Sequence, residues 1–257
     1  MNKPRNPASA RDRSDTRRAA VLREMGLAPL WKLRNPSVDS LPEAKHFAAP
    51  AVAAVAAPAP QQSAGPLATM DWDELHASIA ACRACELCQT RKQVVPGVGD
   101  RSPDWLFVGE GPGADEDERG EPFVGQAGKL LDAMLAAIGL QRGKKVYIAN
   151  TVKCRPPGNR TPTQAETAAC WPYLERQIAL LKPKLIVALG KPAAQALLQR
   201  EVKVGEVRGK LYDYRGIGVI VTYHPAYLLR TLPDKAKAWE DLCFARASMG
   251  KLKEACP

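Results

Sequence analysis

Trp105-Leu-Phe-Val-Gly-Glu-Gly-Pro-Gly-Ala-Asp-Glu-Asp-Glu-Arg-Gly-Glu-Pro-Phe-Val-Gly-Gln-Ala-Gly128 sets the architecture of this chain. Trp105 to Val108 is a short apolar run of the length of a buried strand. It stops at Gly109-Glu110-Gly111-Pro112-Gly113, which can continue neither a strand nor a helix and makes a sharp turn whose backbone can approach a ligand. An acidic cluster and Pro122-Phe123-Val124-Gly125 follow before a helical pattern begins. A rigid strand thus ends in a loop carrying a carboxylate, free amides and one aromatic ring, the place where open α/β sheets bind ligands.

The pattern repeats outward from this stretch. Strands are expected at Trp105–Val108, Lys145–Ala149, Leu185–Leu189 and Gly218–Thr222, with helices at about 126–139, 163–181, 191–199 and 235–249. A further helix over Trp72, Leu75 and Ile79 is expected to be capped by Thr69. Alternation of this kind predicts an α/β fold, a three-layer α/β/α sandwich around a four-stranded, mainly parallel sheet. Parallel strands deliver their C-terminal residues to one rim, so Glu110–Gly113, Asn150–Cys154, Gly190–Pro192 and Tyr223–Ala226 should converge there. His224, one of three histidines, is among them.

Domain organisation follows from composition. Residues 1–46 form a basic arm; from Met1 to Arg34 there are nine Lys and Arg against three Asp and Glu. A short helix is expected near Asp15–Met25, and the arm suits contact with DNA or a protein partner. Residues 47–68 are Ala- and Pro-rich with side chains too small for a core, and are expected to be a disordered linker. The globular domain is then 69–250 with a short tail, 251–257. The net charge of +10 suits a polyanionic partner. No apolar run is long enough to span a membrane, and the basic N-terminus lacks an apolar h-region, so a cytoplasmic, nucleoid-associated monomer is expected.

Seven cysteines, three of them in C-x2-C-x2-C at Cys82, Cys85 and Cys88, point to metal or redox chemistry in a reducing compartment and away from a disulfide scaffold. A C-x2-C pair plus Cys154 and Cys170 can close a four-thiolate site for zinc or an iron–sulfur cluster. The absence of a second C-x2-C knuckle favours a [4Fe–4S] cluster. Cys88 is either an alternative ligand or a bystander, and spacing does not decide.

Gly109–Gly113, Pro122–Gly125, Val146–Asn150, Lys153-Cys154-Arg155-Pro156-Pro157 and His224-Pro225-Ala226-Tyr227-Leu228-Leu229-Arg230 together resemble the family 4 uracil-DNA glycosylases, from about Cys82 to Phe244. The resemblance implies a base-excision repair enzyme acting on uracil-containing DNA, with a [4Fe–4S] cluster on Cys82, Cys85, Cys154 and Cys170. It implies catalytic roles for Glu110 and His224, and substrate contacts from Gly111, Glu116, Phe123, Asn150 and His224. A related branch bonds covalently to DNA through a histidine in a longer loop after the third cysteine. Here the loop from Arg155 to Thr163 is short and has no histidine, which disfavours that chemistry.

The implied roles are chemically coherent. Phe123 offers a stacking face to a flipped base. Asn150 offers one donor and one acceptor to uracil O4 and N3–H, a pattern that cytosine reverses. Glu116 stands where a thymine methyl would project. His224 donates to the O2 anion that develops on cleavage, as imidazole or imidazolium. Glu110 orients water. Leu228 and Leu229 are candidate wedges for the gap left by flipping. Lys153, Arg155, Arg160, Lys191 and Arg230 are candidate phosphate contacts. Three other readings explain less. A non-catalytic DNA-binding module on the same fold has no use for intact Glu110, Asn150 and His224. An electron carrier needs no such convergence on one rim. A phosphate-binding nucleotide enzyme lacks the glycine signatures for it.

Overall fold

The computed structural model describes residues 65–254, so the arm, its expected helix and most of the linker lie outside the described residues. Six strands form one sheet: β1 (Val98–Gly99), β2 (Trp105–Gly109), β3 (Val146–Asn150), β4 (Leu185–Leu189), β5 (Leu211–Tyr214) and β6 (Ile217–Thr222). Their spatial order is β1-β3-β2-β4-β6-β5. The four expected strands are the parallel centre, each within one residue of its expected bounds. The expected strand count of four is corrected to six, because an antiparallel strand closes each edge. β5 and β6 form a hairpin turned by Arg215 and Gly216, both at positive φ (53° and 84°), the mirror-image turn that matches strand twist.

The central strands alternate between two buried faces. Leu106, Val108, Tyr147, Ala149, Ile186, Ala188, Val219 and Val221 pack on one side against α5 (Gln164–Leu181) and α6 (Lys191–Leu198). Trp105, Phe107, Val146, Ile148, Val187 and Ile220 pack on the other against α4 (Gln126–Ala137) and α9 (Lys235–Glu254). Each such aliphatic or aromatic burial contributes about 1.5–3 kcal/mol, which is why near-continuous apolar runs suffice to specify these strands. The three-layer arrangement is the expected one.

α1 (Trp72–Ala81) is capped by Asp71, not by Thr69 as expected. The Asp71 carboxylate accepts from the Asp73 and Glu74 amides at 2.9 Å while Glu74 accepts from the Asp71 amide, a reciprocal box with a three-residue spacing that Thr69, five residues before Glu74, does not match. Thr69 closes a 3-10 turn at Pro66–Ala68. Leu67 and Met70 pack on the cluster around Leu75 and Ile79, so the folded unit begins a few residues before the expected boundary at 69. The remaining helices are short: α2 (Leu87–Thr90), α3 (Ala114–Arg119), α7 (Val204–Val207) and α8 (Pro225–Arg230).

Candidate active site and thiol pocket

The C-terminal rim of the parallel strands opens into a cavity of about 870 Å³, the size of a substrate site. Glu110, Gly111, Glu116, Phe123, Asn150 and His224 all line it, so the structure brings every expected substrate and catalytic residue together. Register explains part of this: Gly109 and Asn150 are paired across β2 and β3, and Leu189 and Thr222 across β4 and β6.

Phe123 is held in a conformation that a phenylalanine rarely adopts, with φ of 57°. Such strain costs on the order of 1–3 kcal/mol and persists only where neighbours over-determine it. Here they do so from both sides. Arg142 donates to the Pro122 and Phe123 carbonyls at 2.8 Å each. Glu116 accepts from the amides of Gly113, Val124 and Gly125 at 2.9 to 3.0 Å. Two glycines leave the room this needs. A Cβ on Gly109 would lie 2.5 Å from the Phe123 ring, and one on Gly128 would lie 1.8 Å from the Phe123 carbonyl oxygen. Arg142 carries no motif signal, and sequence reasoning missed it.

Asn150 ends β3 fully buried, and its Oδ1 has no hydrogen-bond partner. An unpaired buried acceptor costs about 1–3 kcal/mol, a penalty that a ligand N–H would relieve. The His224 ring lies 5.5 Å from that of Phe123, centroid to centroid, tilted by 32°. Its Nδ1 accepts from the Ala226 amide at 3.1 Å, which assigns the ring proton to Nε2. Burial, and secondarily the Arg230 guanidinium, push the imidazole down to about 4, with Glu116 opposing, so the ring is neutral at pH 7. Gly190, at φ 88°, caps α6 directly under the His224 Cβ. Glu110 is partly exposed, and its carboxylate has no hydrogen-bond partner among the described residues.

The expected DNA contacts separate. Leu228 is 1% exposed, in the core with Met134, Ile138 and Leu242, and the wedge reading does not hold for it. One helical step further, Leu229 is 42% exposed. Lys153 is likewise no phosphate contact, being 2% exposed. Arg160, Lys191 and Arg230 line the cavity mouth. Of these, Arg160 is engaged by Glu166 through two hydrogen bonds of 2.6 and 2.8 Å, and Lys191 lies 3.5 Å from Glu201. Arg155 is bonded to Asn159 within its own loop.

Behind one wall of the cavity, Cys82, Cys85, Cys88, Cys154 and Cys170 line a second, narrow pocket. Among the described residues no three His, Cys, Asp or Glu side chains form a group able to hold a single metal ion. A four-iron cluster separates its thiolates more widely than one ion does. The surroundings are those of charged sulfur. Arg91 donates to Cys154 Sγ at 3.0 Å and bridges to the Ala80 and Cys82 carbonyls. The amides of Lys153 and Ala84 donate to Cys170 and Cys82. Burial pushes the Cys170 thiol up to about 11 and the Lys153 ammonium down to about 8. Lys153 makes no ion pair with a carboxylate among the described residues. A buried cation lacking a counter-charge is costly, and thiolates bound to a metal centre would supply it. The donor set therefore fits a thiolate-held cluster. Leu75, Ile79, Leu87, Val152 and Tyr173 wrap it in apolar surface.

A family model, Uracil DNA glycosylase superfamily, matches residues 96–243. The chain belongs to this superfamily. Within it, the chain groups with the type-4 uracil-DNA glycosylases, as the sequence motifs lead one to expect. The protein of that name from Pyrobaculum aerophilum is 48% identical over 181 residues, 67% of this chain and 92% of the relative. That of Thermotoga maritima is 48% identical over 161 residues, 62% of this chain and 83% of the relative. A type-5 uracil-DNA glycosylase of Mycobacterium leprae is more distant, 34% identical over 195 residues, 60% of this chain and 84% of the relative.

Proposed function

We propose that this glycosylase flips uracil out of DNA and hydrolyses its N-glycosidic bond, leaving an abasic site. The observation that carries the reading is the buried, unpaired amide oxygen of Asn150 on the same cavity wall as Phe123 and His224. Extracting the nucleotide costs a few kcal/mol. Stacking on the fixed Phe123 ring returns about 1–3 kcal/mol. Asn150 Oδ1 accepts from uracil N3–H and its Nδ2 donates to O4; cytosine would leave both unpaired. Glu116, immobilised by three amides, forms the wall that a 5-methyl group would strike.

As the bond to the sugar breaks, charge develops on O2. His224 meets it with Nε2–H and keeps that proton, because its Nδ1 is committed to the Ala226 amide and the ring is neutral. A donor so placed contributes about 2.7–4 kcal/mol to the transition state. Glu110, whose carboxylate is free, stabilises the cationic sugar and orients the attacking water. Exposed Leu229 enters the stack, and Arg155, Arg160, Lys191 and Arg230 form the phosphate-facing surface.

Cys82, Cys85, Cys154 and Cys170 would hold a [4Fe–4S] cluster, whose chemistry here is to cross-link. Bound to it, Cys82 just past the end of α1, Cys154 at the start of the loop 155–163 that walls the cavity and Cys170 within α5 would be cross-linked. The test is an excision assay on oligonucleotides carrying one uracil, cytosine or thymine, with alkali to cut abasic sites. Cleavage at uracil alone is expected. Iron-loaded protein that binds uracil DNA without cutting it would leave a DNA-binding module as the reading.

A further inference from the structure

Lys153 is the most unexpected side chain in the molecule. It sits in the basic segment after β3 yet is 2% exposed. Its ammonium donates to the Asn150 carbonyl at 2.8 Å and to Gln177 Oε1 at 2.7 Å. Gln177, itself 0% exposed on α5, donates in turn to the Pro96 carbonyl at 2.8 Å. The Lys153 amide donates to Cys170 Sγ at 3.3 Å, and its carbonyl accepts from the Val95 amide at 2.8 Å. One residue thereby joins the end of β3, helix α5, the loop before β1 and the thiol pocket.

The end of β3 needs such a partner. Asn150 is the last residue paired with β2, where Gly109 ends the ladder and the chain turns into the Gly-rich loop. A buried backbone carbonyl at a strand end must find a donor, and here the donor is the Lys153 ammonium. A neutral donor or a water would satisfy it. A charged donor in a dry site makes a shorter, stronger bond and sets the peptide plane more rigidly. The plane of Asn150 sets where its side chain leaves the strand, hence where the orphan Oδ1 stands against the base.

We propose that Lys153 is a positioning residue for uracil recognition: its ammonium clamps the Asn150 carbonyl and ties the base-reading amide to the thiol pocket. The inference rests on the uracil-excision reading. It assigns to the pocket behind the cavity a second consequence besides holding the loop.

The experiment is a double-mutant cycle with kcat/KM on uracil DNA as one readout and iron content with visible absorbance as the other. Lys153→Met is expected to keep its iron and lose about tenfold to a hundredfold in kcat/KM, but to lose less than about threefold in an Asn150→Ala background, because the two act as a unit. Equal losses in both backgrounds would overturn the proposal, as would loss of iron from Lys153→Met, which would make the lysine a support of the thiol pocket alone. If Lys153→Met does not fold, Gln177→Leu decides, since it keeps the charge and removes one of its two acceptors. Loss confined to the background with Asn150 supports the clamp; unchanged activity refutes it. Absence of uracil excision by iron-loaded wild type would instead sink the activity reading on which the cycle depends.

Discussion

The rim cavity and the thiol pocket lie on either side of one wall and are built on opposite principles. At the rim, polar groups are left unspent: Asn150 Oδ1 is orphaned, the Glu110 carboxylate has no hydrogen-bond partner among the described residues, and the Nε2 of His224 is uncommitted while Nδ1 is bonded. In the thiol pocket the donors are spent, with Arg91 and two backbone amides aimed at sulfur. A site that must bind and release a substrate keeps hydrogen-bonding capacity in reserve, at a cost to stability. A site that holds a permanent group saturates it. The price of the reserve at the rim is visible as the strained Phe123 backbone, which Arg142 and Glu116 hold in place.

The largest effect is expected where the unspent groups are removed. His224→Ala should lower kcat by about 10²–10³ with folding intact, because one transition-state donor is lost. Single-turnover kinetics on a uracil oligonucleotide measure it. A comparable loss of stability would break the contrast, since it would make His224 a structural group.

Next comes the strain. Gly128→Ala places a methyl group 1.8 Å from the Phe123 carbonyl oxygen, so helix and loop cannot keep their approach. A loss of about 1–3 kcal/mol in stability is expected, seen as a lowered Tm together with a raised KM. Arg142→Ala should be milder in Tm but similar in KM, because it frees the Phe123 peptide without a clash. Equal KM for both variants and wild type would mean that the ring does not need its fixed pose.

The pH profile sharpens the comparison further. The folded His224 lies at about 4, below the ordinary value of 6.5. The neutral ring is the donor, so excision should stay level as pH falls from 7 and decline only on approaching 4. In the window between 4 and 6.5 the unfolded chain takes up a proton that the folded chain refuses, so stability falls as pH falls through it. An activity decline centred near 6.5 would show an imidazole in ordinary solvent contact.

The smallest effect on excision belongs to the DNA surface, and its buried neighbour gives the contrast. Leu229→Ala should reduce excision from duplex by about threefold and leave single-stranded substrate unchanged, since only a duplex has a gap to fill. Leu228→Ala should cost about 2–5 kcal/mol of stability, because it empties part of the cluster with Met134 and Leu242.

Much of this was legible in the chain. The four central strands announce themselves as apolar runs, two of them closed by Gly109 and Gly190, and the rule that parallel strands share a rim brings Glu110, Asn150 and His224 together from the chain alone. The edge strands were not legible: Val98–Gly99 is two residues long, and Leu-Tyr-Asp-Tyr before Arg215-Gly216 reads as polar alternation too short to stand alone. Neighbouring leucines could not be told apart without the phase of α8, which turns Leu228 in and Leu229 out. Arg142 and Lys153 were illegible for a different reason. The Pro122 and Phe123 carbonyls that hold Arg142 and the Gln177 side chain that holds Lys153 lie about twenty residues or more away in the chain, and a basic residue among basic residues carries no local sign of burial.

The measurement that tests the central claim most directly compares excision and iron content in wild type, Asn150→Ala and Cys154→Ala. Asn150→Ala is expected to keep its iron and its melting temperature while excision collapses. Cys154→Ala is expected to lose iron, stability and excision together. An Asn150→Ala protein that still excises uracil at the wild-type rate would contradict the account, because the orphaned amide would then have no substrate to read.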